Sequence, residues 1–236
     1  SAAERYPRRH HHLHVASAAS GASYMGPGDG MHYFKPTLQF LLRPVARWAA
    51  AGGLTANQVT VVACAGSVLV GGVLAMFGSW LTILWLLMPA WMAVRMALNA
   101  LDGMLARIYR QESTLGAYLN ELADVVSDAA LILPLATLPG FHPWLVTGIA
   151  LLASWTELAG VLAASNGASR RFDGPMGKAD RALVLGVLGA WVGLFGTPLT
   201  GAFFVQIALI ALLGVTVVRR VSSGLAEARG ASRWRA

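Results

Sequence analysis

The sequence predicts an all-α integral membrane protein, with six transmembrane helices preceded by an amphipathic surface helix and both termini in the cytoplasm. Three observations carry this expectation. The first is composition. Of 236 residues, 56% are hydrophobic and only 12% are charged, against about a quarter charged in an ordinary soluble domain. The second is the length of the apolar runs, which lie near 57–77, 80–106, 114–138, 143–165, 181–196 and 199–219. These runs reach membrane-spanning length. The third is the placement of cations, which alternates from one inter-segment gap to the next.

Residues 1–33 are rich in Ala, Ser, Gly and His and lack a long apolar core, so they are not a secretory signal. They read as a disordered extension or an appended remnant, with Met25 or Met31 as a candidate start. His10, His11, His12 and His14 offer adventitious metal contacts. Residues 34–51 mix apolar side chains with Lys35, Arg43 and Arg47, as suits a helix lying in the headgroups. Gly52-Gly53 breaks it. The later separators are Gly78-Ser79, Arg107 to Glu112, Pro139-Gly140, Ser169 to Gly177 and Thr197-Pro198. The membrane domain is expected over 34–220, with a basic cytoplasmic tail over 221–236.

No Lys or Arg lies between segments 1 and 2, 3 and 4, or 5 and 6. Arg107 and Arg110 lie between 2 and 3; Arg170, Arg171, Lys178 and Arg181 lie between 4 and 5 or at the start of 5. The positive-inside rule then puts these gaps and both termini on the cytoplasmic side. This distribution also argues against nucleic acid as the partner of the +7 net charge. The single cysteine, Cys64, excludes an intramolecular disulfide framework.

Polar residues inside apolar segments mark the candidate site. Asn99, Asp102, Gly103 and Ala106 fall on one helical face. Gly116, Asn120 and Asp124 fall on one face of the next helix. An Asp near the bilayer centre costs about 2.5–3.5 kcal/mol, so several carboxylates within a short stretch suggest a site. Arg95, Glu121, Asp128 and Glu157 are further charges inside the segments. Asp128 stands one turn beyond Asp124; it either shares a base or ligand role or bonds internally to Arg95. Glu121 and Glu157 are left outside the core site, and Glu157 reads as a partner of Arg95 or a subunit contact. Gly174 to Arg181 is glycine-containing and basic at a helix start. It suits a phosphate on acceptor or donor, with Arg170 and Arg171 beside it, or else anionic lipid.

The run Asp102-Gly103-x2-Ala106-Arg107-x8-Gly116-x3-Asn120-x3-Asp124 resembles the CDP-alcohol phosphotransferase signature, D-x2-D-G-x2-A-R-x8-G-x3-D-x3-D. Asn99 and Asn120 replace its first and third aspartates. The stretch from Arg95 to Arg107 and the loop from Gly174 resemble the enterobacterial YnbA-type subgroup, which carries the same two asparagines. The resemblance covers about residues 36–220 and implies transfer of a phosphatidyl or related phosphate group from a CDP-linked lipid to an alcohol, with release of CMP. It implies a bacterial inner-membrane location, a site facing the cytoplasm, a homodimer, and Mg²⁺ or Mn²⁺ held by Asp102 and Asp124 with Asn99 and Asn120 as neutral ligands. It makes Asp124 the general base; Asp128 has no counterpart in the signature and is the alternative by its place one turn along the same face.

The same resemblance assigns donor-nucleotide contacts to Gly103, Ala106, Arg107 and Ser113, and to Asn57 and Thr60 at the start of the first span. Helix packing for Gly103, a topology anchor for Arg107 and capping by Thr55 or Asn57 remain open. Lys178, Arg181, Arg170 and Arg171 are the acceptor or phosphate candidates. An inactive nucleotide-binding relative and a small transporter are the competing classes.

Overall fold

The computed structural model describes residues 34–196 and 200–233. The expectations for residues 1–33 and for the Thr197-Pro198 break lie outside them. The described residues contain helices and no strand. α1 is Phe34–Ala51, α2 Ala56–Phe77, α3 Leu87–Ile108, α4 Thr114–Ile132, α5 Pro143–Ser165, α6 Lys178–Phe195 and α7 Ala202–Arg233. Short 3-10 turns at Thr82–Leu86 and Leu133–Thr137 extend α3 and α4 in sequence.

α1 shows why its sequence pattern is amphipathic. Ala46 and Ala49 are buried against α3, while Arg43 and Arg47 are exposed. Phe40, Leu41, Val45 and Trp48 are also exposed and form an apolar outer face. α2 starts with a capping box. Thr55 accepts from the Gln58 amide at 3.2 Å, and Gln58 accepts from the Thr55 amide at 2.9 Å. Such a cap contributes about 1 kcal/mol.

α2 is the central contact for the two motif helices, since α3 and α4 both pack on it. At Gly71 a Cβ would stand 2.0 Å from the Ala130 carbonyl oxygen. Only glycine lets α2 and α4 cross this closely. α5 pairs with α7, and α6 packs on α3. The main apolar core runs through Leu74, Trp85, Met88, Leu131, Val146 and Leu213. Trp80 and Trp144 are exposed at the helix ends remote from Arg107, as interface anchors are.

Four helices are long and apolar enough to cross a membrane: Ala56–Phe77, Thr82–Ile108, Pro143–Ser165 and Ala202–Gly230. α4 and α6 fall in predicted segments but are less apolar. α4 carries Glu121, Asp124 and Asp128, and α6 carries Lys178, Asp180 and Arg181. α7 does not stop near 219; it continues as one helix to Arg233, into the stretch read as a basic tail. Arg220 on that helix turns inward and is 2% exposed.

Candidate active site

α3 and α4 deliver the two motif stripes. Asp102 is buried, and Thr60 of α2 donates its hydroxyl to Asp102 Oδ2 at 2.9 Å. Thr60 is itself buried, so its place is behind the carboxylate, which it orients. Asp102 lies within electrostatic reach of Asp124 and Lys178. Asn99 and Asn120 are half-buried, and neither side-chain amide makes a hydrogen bond within the described residues.

The turn between the stripes is shaped by two features that the spacing alone did not show. Arg110 has φ 55°, a left-handed conformation uncommon for a residue with a side chain. The Gln111 amide then closes back on the Ala106 carbonyl at 2.9 Å, ending α3. Gln111 Oε1 accepts from the Ala56 amide at 2.7 Å, and its Nε2 donates to the Leu54 carbonyl at 3.3 Å. The loop is thereby tied to the first turn of α2, whose amides have no intrahelical partner.

Ser113 caps α4, accepting from the Gly116 amide at 2.9 Å. Gly116 leaves room for Asn57, since a Cβ there would stand 2.7 Å from Asn57 Oδ1. Gly103 faces Arg107 in the same way. The Arg107 Nε donates to the Gly103 carbonyl at 3.1 Å, and a Cβ on Gly103 would stand 2.9 Å from its Nη2. Ala106 is half-buried and packs against the apolar cluster that α3 forms with α1 and α2.

Beyond Asp124 the interior is a chain of ion pairs. Lys178 Nζ, at the start of α6, donates to Asp124 Oδ2. Arg95 Nη2 lies 3.4 Å from Asp124 Oδ1, and its Nη1 donates to Asp128 Oδ1 at 2.8 Å. Arg181 Nε donates to Asp128 Oδ2 at 2.9 Å, and its Nη2 donates to Glu157 Oε1 at 2.8 Å. Both oxygens of Asp128 are thus held by guanidinium groups. This is the internal alternative for Asp128, with Arg95 as its partner. Glu157 is not a partner of Arg95. Arg181, Arg220 and Arg170 surround it instead, because α5 faces α7 and the 166–177 loop.

The other expected phosphate cations are also engaged. Arg170 forms a two-pronged pair with Glu121, with Nη2 2.9 Å from Oε2. Arg171 donates to Asp173 at 2.7 and 3.0 Å and to Glu227 at 2.7 Å. The Asp173 bond comes first among the causes that raise the Arg171 pKa above the usual arginine value. Glu227 also accepts from the Ser169 amide and hydroxyl, at 2.9 and 2.8 Å.

Among the described residues no group of three or more His, Cys, Asp or Glu side chains is arranged to hold a metal. The motif donor set is two carboxylates, Asp102 and Asp124, and two uncommitted amides, Asn99 and Asn120. Four oxygen donors of this kind fit one hard divalent cation. They are thin for two, because Lys178 already neutralises one of the carboxylates.

Apolar helices of membrane-spanning length thus close around a carboxylate pair, a lysine and two uncommitted amides. The chain belongs to the CDP-alcohol phosphatidyltransferase family, whose sequence model matches residues 53–218. It is 44% identical over 165 residues to the inner membrane protein YnbA of Escherichia coli K12, covering 70% of this chain and 81% of that one. It is 27% identical over 198 residues to archaetidylinositol phosphate synthase of Pyrococcus horikoshii, covering 79% and 92%. The fold matches crystal structures of Mycobacterium tuberculosis phosphatidylinositol phosphate synthase at TM-score 0.63 and 20% identity. The structure of that enzyme with manganese and citrate overlaps 77% of this chain and 88% of its own, and the one with CDP-DAG bound overlaps 77% and 92%.

Proposed function

We propose that this enzyme moves a phosphatidyl group from a CDP-diacylglycerol-type donor to an alcohol, releasing CMP. The observation that carries the reading is the retained Asp102 and Asp124, each held by a partner from another helix: Thr60 on α2, and Lys178 on α6. The nucleotide lies at the loop end, against Gly103 and Gly116, with Asn57 beside it. Arg107 swings off the Gly103 carbonyl to meet the pyrophosphate. Ala106 and Ser113 frame that slot, with Ser113 also serving as a cap. The diacylglycerol follows the apolar groove between α2 and α4, about 310 Å³, lined by Val61, Cys64, Leu119, Leu122 and Val126 beside Thr60.

Asp124 is the general base, and Asp128 fixes Arg95 behind it. The acceptor hydroxyl takes the place of Lys178 on Asp124 Oδ2. Its oxygen bonds to the lipid-bearing phosphorus, its proton passes to Asp124, and the bond from that phosphorus to CMP breaks. Asp102, Asp124, Asn99 and Asn120 would hold one Mg²⁺ or Mn²⁺. That ion, when bound, screens the pyrophosphate charge.

The cation pattern supports six spans with the site and both termini on the cytoplasmic side. The YnbA relative supports the inner membrane as the location, and the family resemblance supports a homodimer.

The test is CMP release from CDP-diacylglycerol by the purified protein with a panel of alcohols, combined with lipid mass spectrometry. A new headgroup lipid that vanishes in Asp102→Asn is the expected result. CMP release that persists unchanged in that variant would overturn the site.

A further inference from the structure

α7 is longer than a membrane crossing needs. It runs 32 residues, about 48 Å, against about 30 Å of hydrocarbon. From Thr216 onward it lies along the loop between α5 and α6. Residues 169–173 of that loop have no regular structure, so other groups must satisfy their backbone. Three levels of α7 hold the loop. Thr216 accepts from the Met176 amide at 3.0 Å, Arg220 Nε donates to the Asp173 carbonyl at 3.2 Å, and Glu227 accepts from the Ser169 amide at 2.9 Å. These three residues fall on one helical face. The loop also presses on α5, where a Cβ at Gly160 would stand 2.7 Å from the Arg171 carbonyl oxygen.

Glu227 is the one acidic residue in the α7 sequence. Besides the Ser169 amide it accepts from the Ser169 hydroxyl at 2.8 Å and from Arg171 Nη1 at 2.7 Å. Ser169 and Arg171 are the two chain neighbours of Arg170. Side-chain directions alternate here as along a strand. Ser169, Arg171 and Asp173 bond on the α7 side. Arg170 points the other way, onto Glu121 of α4, and the Phe172 ring lies 5.1 Å from its guanidinium carbon. The Arg170 Nε is buried and has no partner among the described residues, so its stem is not anchored by a bond of its own. Glu121 follows Asn120 and stands one turn before Asp124 on α4.

We propose that Glu227 is a positioning residue for the acceptor step: by holding both neighbours of Arg170, it keeps that guanidinium beside the Asp124 end of α4, where the acceptor enters. This rests on the transfer reading above, which brings the acceptor hydroxyl to Asp124, and adds a residue that touches neither substrate.

The full-length protein in detergent is treated with phenylglyoxal, and modification of each arginine is followed by peptide mass spectrometry. Glu227→Gln is expected to speed modification of Arg170 by about fivefold or more as the loop loosens. Faster modification confined to Arg171, which loses a direct partner, overturns the proposal. Asp173→Asn is the control, because it weakens the hold on two Arg171 nitrogens and leaves Glu227 in place. Arg170 should then keep its wild-type rate; an equal gain there means that any loosening of the loop suffices, and overturns the role of Glu227.

CMP release from CDP-diacylglycerol reads the consequence, with glycerol, inositol and their phosphates as acceptors. Glu227→Gln should raise the acceptor KM about fivefold or more, with donor KM and kcat within about twofold of wild type. Equal rises in both KM values, or none, overturn the proposal. In an Arg170→Gln background Glu227→Gln should add nothing, since it acts through Arg170; full additivity overturns that coupling. No CMP release from the wild type with any of these acceptors would sink the transfer reading instead, and the phenylglyoxal rates would still decide whether Glu227 aims Arg170.

Discussion

Near the loop end of the interior, Asn99, Asn120 and Arg107 present polar groups that touch no carboxylate. One to two turns deeper, Arg95, Asp128, Arg181 and Glu157 form a closed set in which every charge is met. The two layers have similar polarity and opposite commitment. The outer groups have kept hydrogen-bonding capacity, which is what a site needs to take up a ligand. The inner groups have given theirs to each other, which fixes helix positions and leaves little for chemistry. Asp124 sits on the boundary, with Lys178 on one oxygen and Arg95 near the other.

The sharpest way to break this comparison is at the boundary. Asp124→Asn should lower CMP release by about 10²–10⁴-fold while the protein stays folded, as read by turnover beside thermal unfolding. An equal loss from Asp128→Asn at unchanged stability would move the base inward. Next is Arg181→Met, which leaves Asp128 and Glu157 buried without a main partner. It should reduce unfolding stability by about 3–5 kcal/mol, measured by denaturation in detergent; wild-type stability would mean that the inner layer is not a framework.

Gln111→Ala removes the partner of the Ala56 amide and should destabilise by about 1–3 kcal/mol. Its effect on activity should appear as a raised donor KM more than a lowered kcat, since it acts on the loop and not on the reacting groups. Asn99→Asp with Asn120→Asp tests the outer layer from the other side. Mn²⁺ titrated by electron paramagnetic resonance should bind at least about tenfold tighter, a change of about 1.4 kcal/mol. The smallest effect belongs to Arg171→Gln. Its pairs lie in an open loop and should be worth about 1 kcal/mol or less, fading with added salt.

Local patterns made the helices legible. The apolar runs gave segments that the structure fills with α2 to α7, and the start of α5 at Pro143 follows from proline at a first helical turn. The motif spacing was sufficient to bring out Asp102, Asp124 and the family. The ion pairs were not legible, because their members come from elements far apart in sequence. Arg95 and Asp128 are 33 residues apart, and Arg170 and Glu121 are 49 apart. From sequence, Arg170, Arg171 and Arg181 therefore read as candidates for a phosphate or for anionic lipid, and Glu157 as a partner of Arg95 or a subunit contact, whereas Arg181, Arg170 and Arg220 surround it. Ser113 showed the opposite ambiguity, since a hydroxyl before a helix is both a cap and a possible ligand. Gln111 carried no signal beyond its place in a short loop.

The charges on α4 and α6 also bear on how the chain enters a bilayer. On the six-span reading, neither helix is a good solitary client for the insertion machinery, since each ionised side chain at mid-depth costs about 2.5–3.5 kcal/mol. Their charges are complementary: Asp124 and Asp128 on α4 meet Lys178 and Arg181 on α6. Biogenesis would then hold α4 at the translocon or membrane surface until α6 emerges from the ribosome, and the two would partition into lipid with these four charges paired.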